Sequence, residues 1–171
     1  MLYLKKIVIA GNGPSLKNID YTRLPKDFDV FRCNQFYFED KYFLGKKIKG
    51  AFFNPSVLKE QYFTAQHLRD TNQYEIEDIY CSILGSFSEI DARVMKELDY
   101  FFPSVKKISS YLETLPMLHQ ALKYQLFYYG KWPTSGIMMI LVAIAQGYKE
   151  IYLTGIDFYE GGGDRLCFLS L

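Results

Sequence analysis

The stretch Lys5-Lys6-Ile7-Val8-Ile9-Ala10-Gly11-Asn12-Gly13-Pro14-Ser15 constrains the chain more than any other. An unbroken apolar, β-branched run ending in glycine suits the first strand of a parallel sheet, which is covered on both faces and needs no alternation. Gly11 and Gly13 let the backbone turn sharply and approach a ligand with no Cβ in the way. Pro14 fits the first turn of a helix, where its missing N–H has no partner to lose, and Ser15 can satisfy a neighbouring N–H. The open amides of such a start suit an anion. Leu16 stands where the dinucleotide fingerprint G-x-G-x-x-G has its third glycine, so that fingerprint is not met, and a plain β–α turn without a ligand also fits this stretch.

With 171 residues the chain reads as a single domain over 1–171, long enough to bury roughly 70% of its unfolded surface. A net charge of +1 gives no bulk attraction to nucleic acid or to an anionic membrane. The 15 tyrosines and 14 phenylalanines either fill the core or line a site for a ring-shaped ligand. Cys33, Cys81 and Cys167 are widely spaced with no C-x-x-C pair, which points to reduced thiols and a cytoplasmic setting, and to neither a disulfide framework nor a zinc site. The apolar run 7–10 breaks at Gly11 and so is no signal peptide. The longest apolar run, 137–145, is too short to cross a bilayer.

Taken in order, the pattern predicts a short helix over 16–24 that Pro25 stops, then a strand over 29–34. A further strand over 48–53 runs through Asn54-Pro55 into a helix over 57–69, whose Leu58, Tyr62, Ala65 and Leu68 recur at helical spacing. A strand over 76–81 ends at Ser82, and a helix capped by Ser88 runs over 88–101. A helix over 112–129 is disturbed by Pro116 and by the aromatic cluster Phe127-Tyr128-Tyr129. Pro133-Thr134-Ser135-Gly136 then precedes a helix over 137–145 that is apolar on every side, hence buried, with Gly147 as its stop. A last strand is read over 150–157. Strands alternating with helices give an α/β fold with a mainly parallel sheet.

Successive strands finish in Asn12, Asn34, Asn54, Ser82 and Asp157. Ligands of open parallel sheets bind outside the carboxyl ends of the strands, so these polar ends converge on one crevice, although Asn and Asp are also ordinary turn formers. Two helix starts, at 13–15 and 134–136, would aim free amides there and suit a phosphate without a metal. Asp27-Phe28-Asp29 has the D-x-D spelling of a metal-holding turn but precedes its strand, at the opposite edge of the sheet, and reads as a solvated turn. His67 and His119 fall within helices, far from strand ends, and read as surface or core histidines.

These stretches carry a resemblance. Ile9-Ala10-Gly11-Asn12-Gly13-Pro14-Ser15-Leu16, Ile19-Asp20-Tyr21, Arg23-Leu24-Pro25, the run from Asp27 through Asn34-Gln35 to Phe38, Phe53-Asn54-Pro55, Thr134-Ser135-Gly136 and Gly155-Ile156-Asp157-Phe158-Tyr159 resemble the bacterial sialyltransferases that decorate lipooligosaccharide. The resemblance spans nearly the whole chain and is densest over 5–45 and 134–159. It implies a Rossmann-like, mainly parallel twisted sheet with helices on both faces, a variant of the glycosyltransferase-A type. It also implies transfer of sialic acid from CMP-sialic acid to a galactose or sialic acid hydroxyl, inverting and metal-independent, with no cofactor beyond the donor substrate. Matching positions assign Asn12, Thr134, Ser135 and Asp157 with Phe158 to the CMP moiety, and Gly11, Gly13, Gly136 and Gly155 are counted with them as donor-binding positions. Asn34, Gln35 and Asn54 fall to the phosphate, the sugar or the acceptor side, and Tyr159 gives its hydroxyl to the departing phosphate.

The sequence also departs from the family's pattern. Where the family has an arginine two residues before Thr-Ser-Gly this chain has Trp132, leaving Lys131 as a point charge for the phosphate. Arg165 stands near the place of a second leaving-group tyrosine. Members continue past position 171 into a lid, an acceptor-activating histidine and a membrane-associating tail. The expectation is therefore a domain incomplete at its C-terminus, with the lid missing. An acceptor step without its base would lose on the order of 10²–10⁴ in rate. The resemblance further implies homo-oligomers, a cytoplasmic place peripheral to the inner membrane through that tail, and no nucleic-acid partner. Two other readings stay open: a non-catalytic CMP-binding remnant, and a hydrolase of the CMP-sugar donor.

Overall fold

The computed structural model describes residues 4–85, 89–156 and 167–170. Seven strands form one sheet in the order β5-β4-β3-β2-β1-β6-β7, comprising β1 (Lys6–Ala10), β2 (Asp29–Cys33), β3 (Lys47–Phe53), β4 (Glu75–Cys81), β5 (Lys106–Lys107), β6 (Glu150–Thr154) and β7 (Cys167–Ser170). All neighbouring pairs are parallel except β6 with β7. This is the mainly parallel α/β architecture expected. β1 lies inside the sheet between β2 and β6, and its Ile7, Val8, Ile9 and Ala10 are wholly buried, which is why that run carries no polar alternation.

Helices cover both faces. Val8, Ala10 and Val30 point into one core with Leu58, Ala65 and Leu68 of α1 (Leu58–Asp70) and Leu98 of α2 (Glu89–Phe101). Ile7, Ile9, Phe31 and Ile151 point into the other. There they meet Ile108 and Leu112 of α3 (Ile108–Leu112), Leu122 and Leu126 of α4 (Pro116–Tyr129), and Met138, Met139 and Val142 of α5 (Ser135–Ala145). The rings of Phe52 and Tyr80 stack at 4.4 Å within this second core, with Phe31 tilted against both. Gly147, at φ 78, ends α5 and turns the chain back to β6.

Three expectations are corrected and two strands are added. The segment 16–24 is no helix but two 3₁₀ turns, Pro14–Asn18 and Tyr21–Arg23. Ile19 and Asp20 are extended, and the Asp20 carboxylate accepts from the Thr22 N–H at 3.0 Å, so a side chain restarts the turn instead of letting a helix continue. The single helix over 112–129 is two, because Pro116 opens α4 at a position where a missing N–H costs nothing. The short β5 and the antiparallel β7 were not anticipated. The last parallel strand closes at Thr154, before Asp157, which lies outside the described residues.

Asp29 begins β2 at the amino edge, and its carboxylate accepts from the Tyr148 hydroxyl at 2.5 Å, facing away from the strand ends as the sequence implied. His119 is buried with Nε2 3.3 Å from the Leu84 carbonyl, and His67 is exposed on α1. Among the described residues, no helix is long and apolar enough to cross a membrane.

Burial pushes the Cys33 thiol from its ordinary 9.0 up to about 11 and that of Cys81 to about 12. The fold therefore favours the neutral thiol. This stabilisation is complete below about pH 9 and is lost as pH rises through 11 and 12. Cys33 and Cys81 should stay unlabelled by a thiol reagent at pH 8 until urea unfolds the chain, as peptide mapping would show, and the urea midpoint should fall steadily above pH 9.

Candidate functional site

The strand order creates the site. From β1 the chain builds the sheet in one direction through β2, β3, β4 and β5, then crosses over to place β6 on the other side of β1. The carboxyl ends of β1 and β6 thus mark the point where the winding reverses, the usual place for a ligand in such sheets. A cleft of about 390 Å³ opens there, within the range of roughly 300–1,000 Å³ typical of small-molecule sites.

Its walls come from four elements: Gly11, Asn12, Gly13 and Pro14 after β1, Cys33 and Asn34 after β2, Thr134, Ser135 and Gly136 at the start of α5, and Gly155 with Ile156 after β6. The structure therefore brings Gly11, Asn12, Gly13, Asn34, Thr134, Ser135, Gly136 and Gly155 to one cleft, as expected. Two glycines make this possible. A Cβ on Gly11 would lie 2.3 Å from the Gly155 carbonyl oxygen, and Gly155 itself takes φ +60 with no room beside Leu16 and the Gly11 carbonyl. At Gly136 a Cβ would come within 3.0 Å of the Ile156 side chain, so the start of α5 sits close over the β6 end.

The amide pattern differs from the expectation at one of the two helix starts. The Gly13 N–H donates to the Gly155 carbonyl at 2.8 Å and the Gly11 N–H to Thr154 at 2.9 Å, so these groups tie β1 to β6. Pro14 has no N–H, and the element it opens is a five-residue 3₁₀ turn. An anion gains little from a helix dipole there. The α5 start is different. Its cap Thr134 accepts from the Ile137 N–H at 3.5 Å, while the first-turn N–H groups of Ser135 and Gly136 have no acceptor inside the helix and border the cleft. An eleven-residue helix stands behind them, so partial positive charge faces the cleft. With Cys33 held neutral, no lining side chain among the described residues carries a charge.

Asn12 does more than line the wall: its Nδ2 donates to the Cys33 carbonyl at 3.0 Å and ties the turn after β1 to the end of β2. Asn34 takes the left-handed region at φ 52, tolerable for asparagine, with its N–H on the Phe52 carbonyl. Gln35 does not reach this cleft. It lines an adjoining cavity of about 170 Å³ that shares Asn12, Gly13 and Pro14 and includes Arg32 and Glu39. Asn54 borders neither space; its side-chain oxygen accepts from the Ser56 N–H and hydroxyl and starts the turn before α1. Lys131 is exposed outside the lining, its ammonium 5.7 Å from the Tyr129 ring centroid, and Trp132 is exposed beside it. Asp157, Phe158, Tyr159 and Arg165 lie outside the described residues. Among the described residues, no group of three or more His, Cys, Asp or Glu side chains could hold a metal ion.

Comparison with known proteins decides the family. The CST-I alpha-2,3-sialyltransferase family model matches residues 5–169. The chain belongs to this family. An apo alpha-2,3-sialyltransferase from Campylobacter jejuni is 51% identical, with a TM-score of 0.87 over 92% of this chain and 62% of that one. The sialyltransferase CstII from Campylobacter jejuni, solved with cytidine-5'-monophosphate, is also 51% identical at TM-score 0.87, over 92% of this chain and 70% of that one. A CST-II structure holding a trisaccharide acceptor and CMP is 49% identical at TM-score 0.86, over 94% of this chain and 66% of that one. This chain thus spans about two thirds of the length of these solved structures.

Sequence reasoning missed the Arg32–Glu39 pair beside the cleft, although a signal existed: Arg32 is a charged residue between apolar neighbours in β2. The contact between the two strand ends yields a direct test. Gly11→Ala drives a Cβ into the Gly155 backbone and should cost about 2 kcal/mol or more in urea unfolding. A change below about 0.5 kcal/mol would show that the two strand ends are free to separate.

Proposed function

We propose that the cleft binds the cytidine monophosphate part of CMP-sialic acid and that the chain serves transfer of sialic acid to a galactose or sialic acid hydroxyl of a lipooligosaccharide glycan. One observation carries this reading. The described residues that the resemblance assigns to the donor, Gly11, Asn12, Gly13, Asn34, Thr134, Ser135, Gly136 and Gly155, come from four separate elements and line one cleft at the reversal point of the sheet. Relatives about half identical, with the same fold, have been solved with CMP and with a trisaccharide acceptor.

The chemistry suits such walls. As the C–O bond between sialic acid and phosphate breaks, the sugar gains oxocarbenium character and negative charge collects on the leaving phosphate. Amides of Ser135 and Gly136 at the positive end of α5, with the hydroxyls of Thr134 and Ser135, stabilise that charge as it develops, more than they stabilise the intact donor. The acceptor hydroxyl attacks the anomeric carbon from the opposite face and inverts it. In this reading Tyr159 donates to the departing phosphate, Arg165 and Lys131 supply positive charge, and Asp157 with Phe158 hold the nucleotide. Asn34 and Gln35 serve the phosphate, the sugar or the acceptor, and no metal takes part.

Calorimetric titration with CMP tests the site. The parent chain should bind with a Kd on the order of 10⁻⁵–10⁻⁶ M. Asn12→Ala and Ser135→Ala should each weaken binding by about tenfold. A folded chain that takes up no CMP would refute the assignment of the cleft. Incubation with CMP-sialic acid and a galactose-terminated acceptor then separates the functions. Sialylated acceptor supports transfer, free sialic acid without transfer marks a donor hydrolase, and binding without turnover marks a CMP-binding remnant.

A further inference from the structure

Arg32 is a charged side chain deep in the sheet. With Val30 it points to the face covered by α1 and α2, while Phe31 and Cys33 point to the other. Its side chain is 1% exposed, and Nη1 donates to Glu39 Oε2 at 2.9 Å. The other carboxylate oxygen, Oε1, accepts from the Tyr74 hydroxyl at 2.7 Å. The guanidinium carbon lies 5.4 Å from the Phe36 ring centroid, and Phe36 packs edge-on against Tyr74 at 5.2 Å. Arg32 Nε is buried with no hydrogen-bond partner among the described residues.

Such a group is a poor source of stability. Taking two charges out of water costs about as much as their attraction returns, and the idle Nε–H adds to the deficit. What the group does is close a loop. Asn34 and Gln35 lie between Arg32 and Glu39, on irregular backbone that enters the left-handed region at Asn34 and reaches φ −86, ψ 46 at Gln35. The start of the loop is pinned by the Asn34 N–H on Phe52 and by Asn12 on the Cys33 carbonyl. Its end is held by Glu39, through Arg32 and Tyr74, together with the Tyr37 hydroxyl, which donates to Gln61 Oε1 at 3.0 Å, and the buried Phe36. We infer that Arg32, Glu39 and Tyr74 form a positioning clamp that holds the 34–38 loop in the one conformation presenting Asn34 to the nucleotide cleft and Gln35 to the adjoining cavity. The nature of the ligand rests on the proposed function; the control of the loop does not.

The test removes the clamp without leaving a charge or hydroxyl stranded. Arg32→Met, Glu39→Met and Tyr74→Phe are combined in the full chain and compared with Tyr74→Phe alone, which keeps the ion pair. The triple variant should keep or exceed the parent Tm, because an apolar replacement of a buried pair is commonly neutral or stabilising. Hydrogen exchange across 34–39 should accelerate by about tenfold, with β1, β3 and α5 unchanged, and Tyr74→Phe should show about threefold. CMP affinity should fall by about tenfold as the binding-competent loop conformer becomes a minor one. Unchanged exchange over 34–39 in both variants overturns the clamp, and so does a loosened loop with parent-level CMP affinity. Absence of CMP binding by the parent counts against the nucleotide reading alone, since the exchange rates still decide whether the clamp governs the loop.

Discussion

The backbones of β1 and β6 meet at their carboxyl ends with nothing between them: the Gly155 carbonyl oxygen occupies the space a Gly11 side chain would need, and Gly155 turns through positive φ against the Gly11 carbonyl. The rest of the site follows from this contact. Because β1 lies inside the sheet, its continuation after Gly11 is tied to β6 through Thr154 and Gly155 and to β2 through Asn12. Three strand ends are thereby held at fixed separations, and α5 enters just above them because Gly136 lets it sit on Ile156. The cleft is the volume left among four constrained backbones, and most of its rigidity comes from main-chain geometry, which loses little freedom when a ligand arrives.

The distribution of charge is the second organising feature. Ionic contacts near the site are placed behind or away from its walls, in Arg32 with Glu39 under the loop after β2, in Lys17 with Asp40 at its rim, and in Lys106 with Asp78 further along the sheet. The walls themselves offer neutral dipoles and the amides of α5. A leaving phosphate in the proposed reaction would meet these preorganised donors, which act most strongly where charge grows during the reaction.

Long apolar patterns were legible and short or conditional ones were not. β1, β2, β3, β4 and β6, together with α1 and α5, carry enough consecutive buried positions for their periods to show. The turns after β1 carry a helical pattern without a helix because Asp20 competes for the backbone, and the break before α4 is hidden because proline at a helix start and proline inside a helix look alike in a sequence. Two-residue β5 and edge strand β7 have no period to detect. In the site, Asn12, Asn34, Thr134, Ser135 and Gly136 could be found because each lies where a strand or helix terminates. Gln35 and Asn54 have the same local signature, yet one faces a neighbouring cavity and the other caps a turn.

The sequence by itself determined an α/β chain with a mainly parallel sheet, the buried character of β1 and α5, and the gathering of polar residues at one edge, since these depend on hydrophobic period and on residues next to one another. Only the tertiary structure decided which of those polar residues meet. That choice rests on strand order and register, and on contacts between positions far apart, such as Glu39 with Tyr74 and Gly11 with Gly155. A local pattern says which face of a strand is buried, but not which strand lies beside it.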